Sequence, residues 1–301
     1  MNMKKRIFAI LTLAAITAMM AGCGSSNDSG NGSGSAAYGG SDLGMITVVS
    51  REDGSGTRGA FIELMGIEQK DADGNKTDMT TVDAMITNKT DVMLSTIAGD
   101  PAAIGYVSLG SLNDNVKALQ IDGAEATAEN VKSGTYKVAR PFNIATKGEP
   151  TGVAKDFINY ILSADGQKIV SEDYISISDD AADFETDGSS GKIVVGGSSS
   201  VFPLMEKLAE GYEAINGAAE IEVQSSDSTA GMSGAADGTF DIGMASRALK
   251  DDEAAQLTGT VIANDGIAVI VNNENAISGL TSEQVQKIYT GEITDWSEVA
   301  E

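Results

Sequence analysis

Short β-branched runs alternate along the chain with segments of helical period. Met45-Ile46-Thr47-Val48-Val49 and Lys192-Ile193-Val194-Val195 read as buried strands, each followed by a turn rich in Gly and Ser and then by a helix. After the first strand the turn is SREDGSGTR and the helix is expected over 59–65. After the second, the turn is Gly197-Ser198-Ser199-Ser200. Beyond it Val201, Leu204, Met205, Leu208, Tyr212 and Ile215 recur at a 3.6-residue period, with Pro203 in the first helical turn. Ile221-Glu222-Val223-Gln224 supplies the next strand, so the segment is a βαβ unit. Residues 240–244 predict a strand leading into Ser246-Arg247, and Val261-Ile262 with 266–271 predict a long buried strand broken near Asp265. The alternation predicts an α/β protein with mainly parallel sheets.

The 301 residues suffice for one large domain or two of ordinary size, and 35 Gly against 4 Pro indicate many tight turns. With no histidine and one cysteine, Ser-His-Asp and Cys-His nucleophilic sites, His-ligated metals, Cys-ligated zinc and internal disulfides are excluded. A formal charge of −24 provides no electrostatic footprint for nucleic acid or anionic lipid. The expected partners are therefore small molecules or proteins.

Lys4, Lys5 and Arg6 precede an uncharged stretch over 7–20 and then small residues before Cys23, which is the layout of a secretory signal. The apolar run is too short to span a bilayer comfortably. Met20-Ala21-Gly22-Cys23 resembles the bacterial lipobox, which implies that residues 1–22 are removed and that Cys23 becomes a lipid-bearing N-terminus. Residues 23–44 are expected to form a flexible Gly/Ser/Asn tether, and 178–191, acidic and nearly without apolar residues, a second linker.

Three turns share one composition: 51–58 (REDGSGTR), 196–200 (GGSSS) and 225–231 (SSDSTAG). Each places Ser or Thr where a helix begins, and a helix start presents unpaired N–H groups and a partial positive charge to an anion. Helix capping alone would also explain any one of these serines. No G-x-x-x-x-G-K-[ST] or G-x-S-x-G motif is present, so neither a nucleotide P-loop nor a nucleophile elbow is supported.

The runs VGGSSSVFPLMEKLAEGYE, VQSSDSTAGMSGAADGTFDIGMASRALKDDE, IANDGIAVIVN, IYTGEITDWSEV, VVSREDGSGTRGAF, IGYVSLGSL and ARPFNIATKG together resemble the phosphate-binding lipoprotein of bacterial phosphate ABC importers. The resemblance implies a two-lobed periplasmic-binding-protein-like fold of type II, with phosphate in the cleft between lobes that close on hinge strands. It implies that Arg51 binds phosphate, that Asp53 orients it, and that Ser55, Gly56 and Thr57 donate from one lobe. From the other lobe it implies Ser199, Ser200, the N–H of Val201, Ser228 and Ser246. Some members carry an aspartate in the turn where this chain has Ser246-Arg247; that aspartate accepts the phosphate proton. Here Ser246, Ser228 or a main-chain carbonyl would take its place, and Arg247 is either a further ligand or half of a surface ion pair.

The motif order departs from the family, in which GGSSSVFP precedes SREDGSGTR. Each part is present once, so a circular permutation is expected, with one lobe at 45–139 plus 263–301 and the other at 140–262. The function implied is capture of inorganic phosphate outside the cell membrane and delivery to an ABC permease, by a monomer held to the membrane only by its lipid. No catalytic residue, cofactor or metal is implied. The alternatives are a surface phosphate sensor or interaction protein of the same fold, and a phosphate-ester hydrolase, which would need a carboxylate cluster that the spacing does not offer.

Overall fold

The computed structural model describes residues 43–71 and 75–299. The expected signal, Cys23 and all but the last two positions of the expected tether lie outside the described residues.

Eight strands follow one another across a curled sheet: Ala219–Ser226, Gly191–Ser198, Ile242–Ala245, Ala139–Thr146, Thr258–Asn272, Ala103–Ser108, Thr47–Arg51 and Met85–Thr87. A ninth, Val116–Ala118, pairs with the long strand Thr258–Asn272. Towards the two ends of the sheet the pairing is parallel, as the βαβ pattern predicts. The centre is antiparallel, which corrects the expectation of mainly parallel sheets. The reason is the long strand. Its first part pairs with Ala139–Thr146, from Thr258 opposite Thr146 to Gly266 opposite Ala139, and its second part pairs with Ala103–Ser108. It therefore runs from one half of the molecule into the other, against the direction of the strand that returns. The break expected near Asp265 is instead a register shift between Val261 and Ala263 within a continuous strand.

Alternation along that strand builds two layers at once. Ile267, Val269 and Val271 enter a core with Phe61, Tyr106, Val285, Ile288, Tyr289 and Trp296, whereas Ala268 and Ile270 enter another with Val49, Met93, Leu94 and Ile97. In the other half, Phe142, Ile144, Val195 and Ile262 pack against Leu204, Met205, Leu208 and Tyr212 of the helix Phe202–Ile215. Ala145 and Ala245 face Met232, Ala235 and Leu257 on the opposite side. Each half is thus a sheet covered on both faces, with its own core.

The acidic segment over 178–190 has no regular structure and lies against the second half. Phe184 packs on the core there, Thr186 Oγ1 donates to Asp156 Oδ2 at 2.7 Å, and Asp187 N donates to Asp156 Oδ1 at 3.1 Å. The ends of the described chain meet. Ile46 N donates to the Thr294 carbonyl at 2.8 Å and Trp296 N to the Gly44 carbonyl at 3.0 Å.

Candidate functional site

Parallel strands end level with one another when their registers match, and crevices form beyond their carboxyl ends. In the first half Arg51 is the register partner of Thr87, so the strands Thr47–Arg51 and Met85–Thr87 end together, and the helices Gly56–Leu64 and Thr90–Gly99 begin just beyond. In the second half Ser198 is opposite Ser226 and Met244 is opposite Gly197. The turns after these three strands, carrying Ser199-Ser200, Ser228 and Ser246, come side by side for that reason.

Arg51 is 2% exposed although it is a full charge. Its Nε and Nη2 each donate to Glu52 at 2.8 Å, and Nη2 also donates to Ser199 Oγ, in the other half, at 3.1 Å. Behind it Tyr106 OH accepts from Arg51 N at 3.2 Å and pairs with Ser50 Oγ at 2.9 Å; burial pushes this phenol up to about 12, so it stays neutral. The carboxylate that orients Arg51 is therefore Glu52. Asp53, expected in that role, is 98% exposed and accepts from Arg58 Nη1 at 2.9 Å.

Eight hydroxyl residues surround the crevice, all buried: Ser55, Thr57, Thr90, Ser198, Ser199, Ser200, Ser228 and Ser246. Thr57 Oγ1 is 2.8 Å from Ser200 Oγ and 3.5 Å from Ser246 Oγ, and Thr90 Oγ1 is 3.3 Å from Ser199 Oγ, all across the crevice. Ser246 Oγ accepts from Ser198 Oγ at 2.9 Å and lies 3.4 Å from Ser228 Oγ, which accepts from Ser246 N at 3.0 Å. Helix capping explains only one of these serines: Ser55 Oγ accepts from Arg58 N, whereas Asp227 caps the helix Ser228–Asp237 and leaves Ser228 to the cluster. The N–H of Val201, expected to face the ligand, instead closes its turn on the Ser198 carbonyl at 3.0 Å.

Two glycines let the halves meet. A Cβ on Gly56 would stand 2.4 Å from Ser228 Oγ and 2.8 Å from Ser246 Oγ, and one on Gly54 would stand 2.3 Å from Asp227 Oδ1. Thr229 N donates to the Gly54 carbonyl at 3.2 Å, so the crevice is shut at this edge. Arg247 makes two 2.7 Å bonds to Glu253 and a longer one, 3.4 Å, to Thr229 Oγ1; it is an ion pair as one reading expected, but at 12% and 11% exposure its partners lie largely buried beside the crevice and not on the surface.

Sequence reasoning missed Thr90, Ser198 and Glu52. Thr90 follows Lys89, an N-cap without a side-chain hydrogen bond, in a segment with no Gly/Ser signature. A helix Thr90–Gly99 recognised from its buried Met93, Leu94 and Ile97 would have placed Thr90 at another helix start. Among the described residues no group of acids or cysteine could hold a metal ion.

What this arrangement can do is bind. Hydroxyl donors, first-turn N–H groups and one charge-matched guanidinium converge from both sides at hydrogen-bonding separations, which suits a small oxyanion. The profile of the PBP superfamily domain matches residues 11–165 and 183–301, and the chain belongs to that family. Within it, the phosphate-binding protein PstS 2 of Streptococcus agalactiae is 50% identical over 299 residues, covering 97% of this chain and 98% of that protein. The crystal structure of a phosphate-binding protein of a phosphate ABC transporter from Streptococcus pneumoniae is 44% identical, with a TM-score of 0.68 over 85% of this chain and 100% of that one. The phosphate-binding protein PstS of Bacillus subtilis is 38% identical but matches over only 44% of this chain and 42% of its own length.

Proposed function

We propose that this protein binds inorganic phosphate in the closed crevice and delivers it to the permease of an ABC importer. The observation that carries the reading is the buried Arg51, matched by Glu52 and joined across the crevice to Ser199, among eight buried hydroxyl residues. Arg51, Ser55, Gly56, Thr57, Thr90, Ser199, Ser200, Ser228 and Ser246 contribute the binding groups. Phosphate fits because four oxygens can each take two or more donors. The protein performs no chemistry on its ligand.

The lobes are assigned as 45–139 with 263–301, and 140–262. The long strand Thr258–Asn272 and its partner Ala139–Thr146 are the hinge. Export, removal of residues 1–22 and lipidation of Cys23 hold the monomer at the outer face of the cell membrane; among the described residues no helix is long and apolar enough to cross it. The motif order is a circular permutation. End-to-end matches to streptococcal proteins beside a half-length match to the Bacillus protein support this, because a collinear comparison with a permuted relative can align only one segment.

Calorimetry of the mature protein, freed of co-purified ligand, tests the function with phosphate, sulfate and a phosphate monoester. One-to-one binding of phosphate is expected, with sulfate weaker because it brings no proton for a hydroxyl to accept. Absence of phosphate binding, or turnover of the ester, overturns the reading.

A further inference from the structure

Where the hinge strands cross lies an ion pair outside the hydroxyl cluster. Arg140 and Asp265 are register partners, 4% and 0% exposed. Arg140 Nη2 donates to Asp265 Oδ2 at 3.1 Å, and Nε reaches the same oxygen at 3.4 Å. Its third contact leaves the hinge, for Nη1 donates to the Ser246 carbonyl at 3.0 Å. Ser246 is the hydroxyl residue on which Thr57, Ser198 and Ser228 converge.

We propose, on the reading that the crevice holds phosphate, that Arg140 is a positioning residue of that site, fixing the Ser246 turn through its carbonyl and coupling the turn to the hinge strands. A free carbonyl oxygen beside an anion would repel it. Engaged by a guanidinium, the oxygen is neutralised, while the Ser246 N–H and hydroxyl keep their orientation within the cluster. Stability alone does not explain the pair. Desolvating two charges generally offsets their attraction, and here both contacts from Arg140 fall on Asp265 Oδ2, so Oδ1 receives none of them.

The carboxylate holds Arg140, so its ionisation provides a readout that packing does not. Burial pushes Asp265 up to about 6, with Arg140 opposing. The other groups facing it are Ser108 and the Gly110 N–H from the turn after Ala103–Ser108, Tyr174 from the end of the helix Ala164–Asp173, and Tyr136. Burial raises both phenols, so they are neutral near pH 6. Asp265 is therefore charged above about 6 and loses its hold on Arg140 below.

The test measures phosphate dissociation constants and ligand-free melting temperatures for the wild type, Asp265→Asn, Arg140→Lys and the double variant Arg140→Met/Asp265→Leu. The double variant is expected to remain folded at the assay temperature, as its melting curve will show, yet to bind phosphate about ten- to a hundredfold more weakly, with Arg140→Lys between. The ratio of the Asp265→Asn constant to the wild-type constant, in which the ionisation of phosphate cancels, is expected to be about ten at pH 8 and to approach one at pH 5. A double variant that binds like wild type, or a ratio independent of pH, overturns the inference and leaves the proposed function standing. A wild type that does not bind phosphate removes both.

Discussion

The two halves of the crevice carry different chemistry. The half built on Thr47–Arg51 brings a guanidinium that reaches across the crevice to Ser199, together with Ser55, Thr57 and Thr90. The half built on Gly191–Ser198 brings only neutral hydroxyls, and its two nearby arginines are committed, Arg140 to Asp265 and Ser246, Arg247 to Glu253. Even Arg51 is matched by Glu52, so neither wall has a large excess of positive charge. The contrast teaches how a chain of net charge −24 can hold an anion. Surface acids are screened over roughly 8 Å at physiological salt. Oriented donors in contact with the ligand are not screened.

The sharpest way to break the comparison is to remove Arg51, the cation that reaches across the crevice. Arg51→Ala should weaken phosphate binding about ten- to a hundredfold by calorimetry, because a charge-assisted bond is lost and Glu52 is left near the anion. Gly56→Ala should cost about tenfold or more by another route, since its methyl would push Ser228 and Ser246 away from the opposite wall. Ser228→Ala, a neutral donor from the second wall, should cost about fivefold, the loss of roughly 1 kcal/mol. Arg247→Ala should change affinity less than threefold, because both of its short bonds go to Glu253 and none to the hydroxyl cluster. Equal losses for Arg51→Ala and Arg247→Ala would erase the distinction between the walls. Rearranging the chain to family order, with 192–301 ahead of 45–177, should change affinity least of all, since the ends of the described chain already lie together; a rearranged protein that folds but does not bind would refute the permutation.

Much of this was legible in sequence where one segment builds one feature. The GGSSS turn sits between a β-branched run and a helix of clear period, and the structure places its serines at the crevice. What was not legible depends on which of two neighbours the backbone turns inward. Glu52 and Asp53 are adjacent acids after a strand end, and composition cannot say which one faces Arg51 once the chain bends. Arg140 sits in an apolar strand, where a lone arginine has no periodic signature, and its partners Asp265 and Ser246 are 125 and 106 residues away. The long strand looked broken at Asp265 because a buried carboxylate interrupts its apolar run. Pairing with Ala139–Thr146 carries it through.

Trp296, fully buried, donates its indole N–H to the Ala102 carbonyl at 2.8 Å, 194 positions earlier in the chain. Translation adds roughly 5–20 residues each second, so about ten to forty seconds separate the synthesis of these two contacts. Throughout that interval the core around Phe61 and Tyr106 lacks the indole that seals it. A chain that must pass through a membrane pore before folding, as the proposed export of this one requires, gains time to be threaded from a tryptophan made so late.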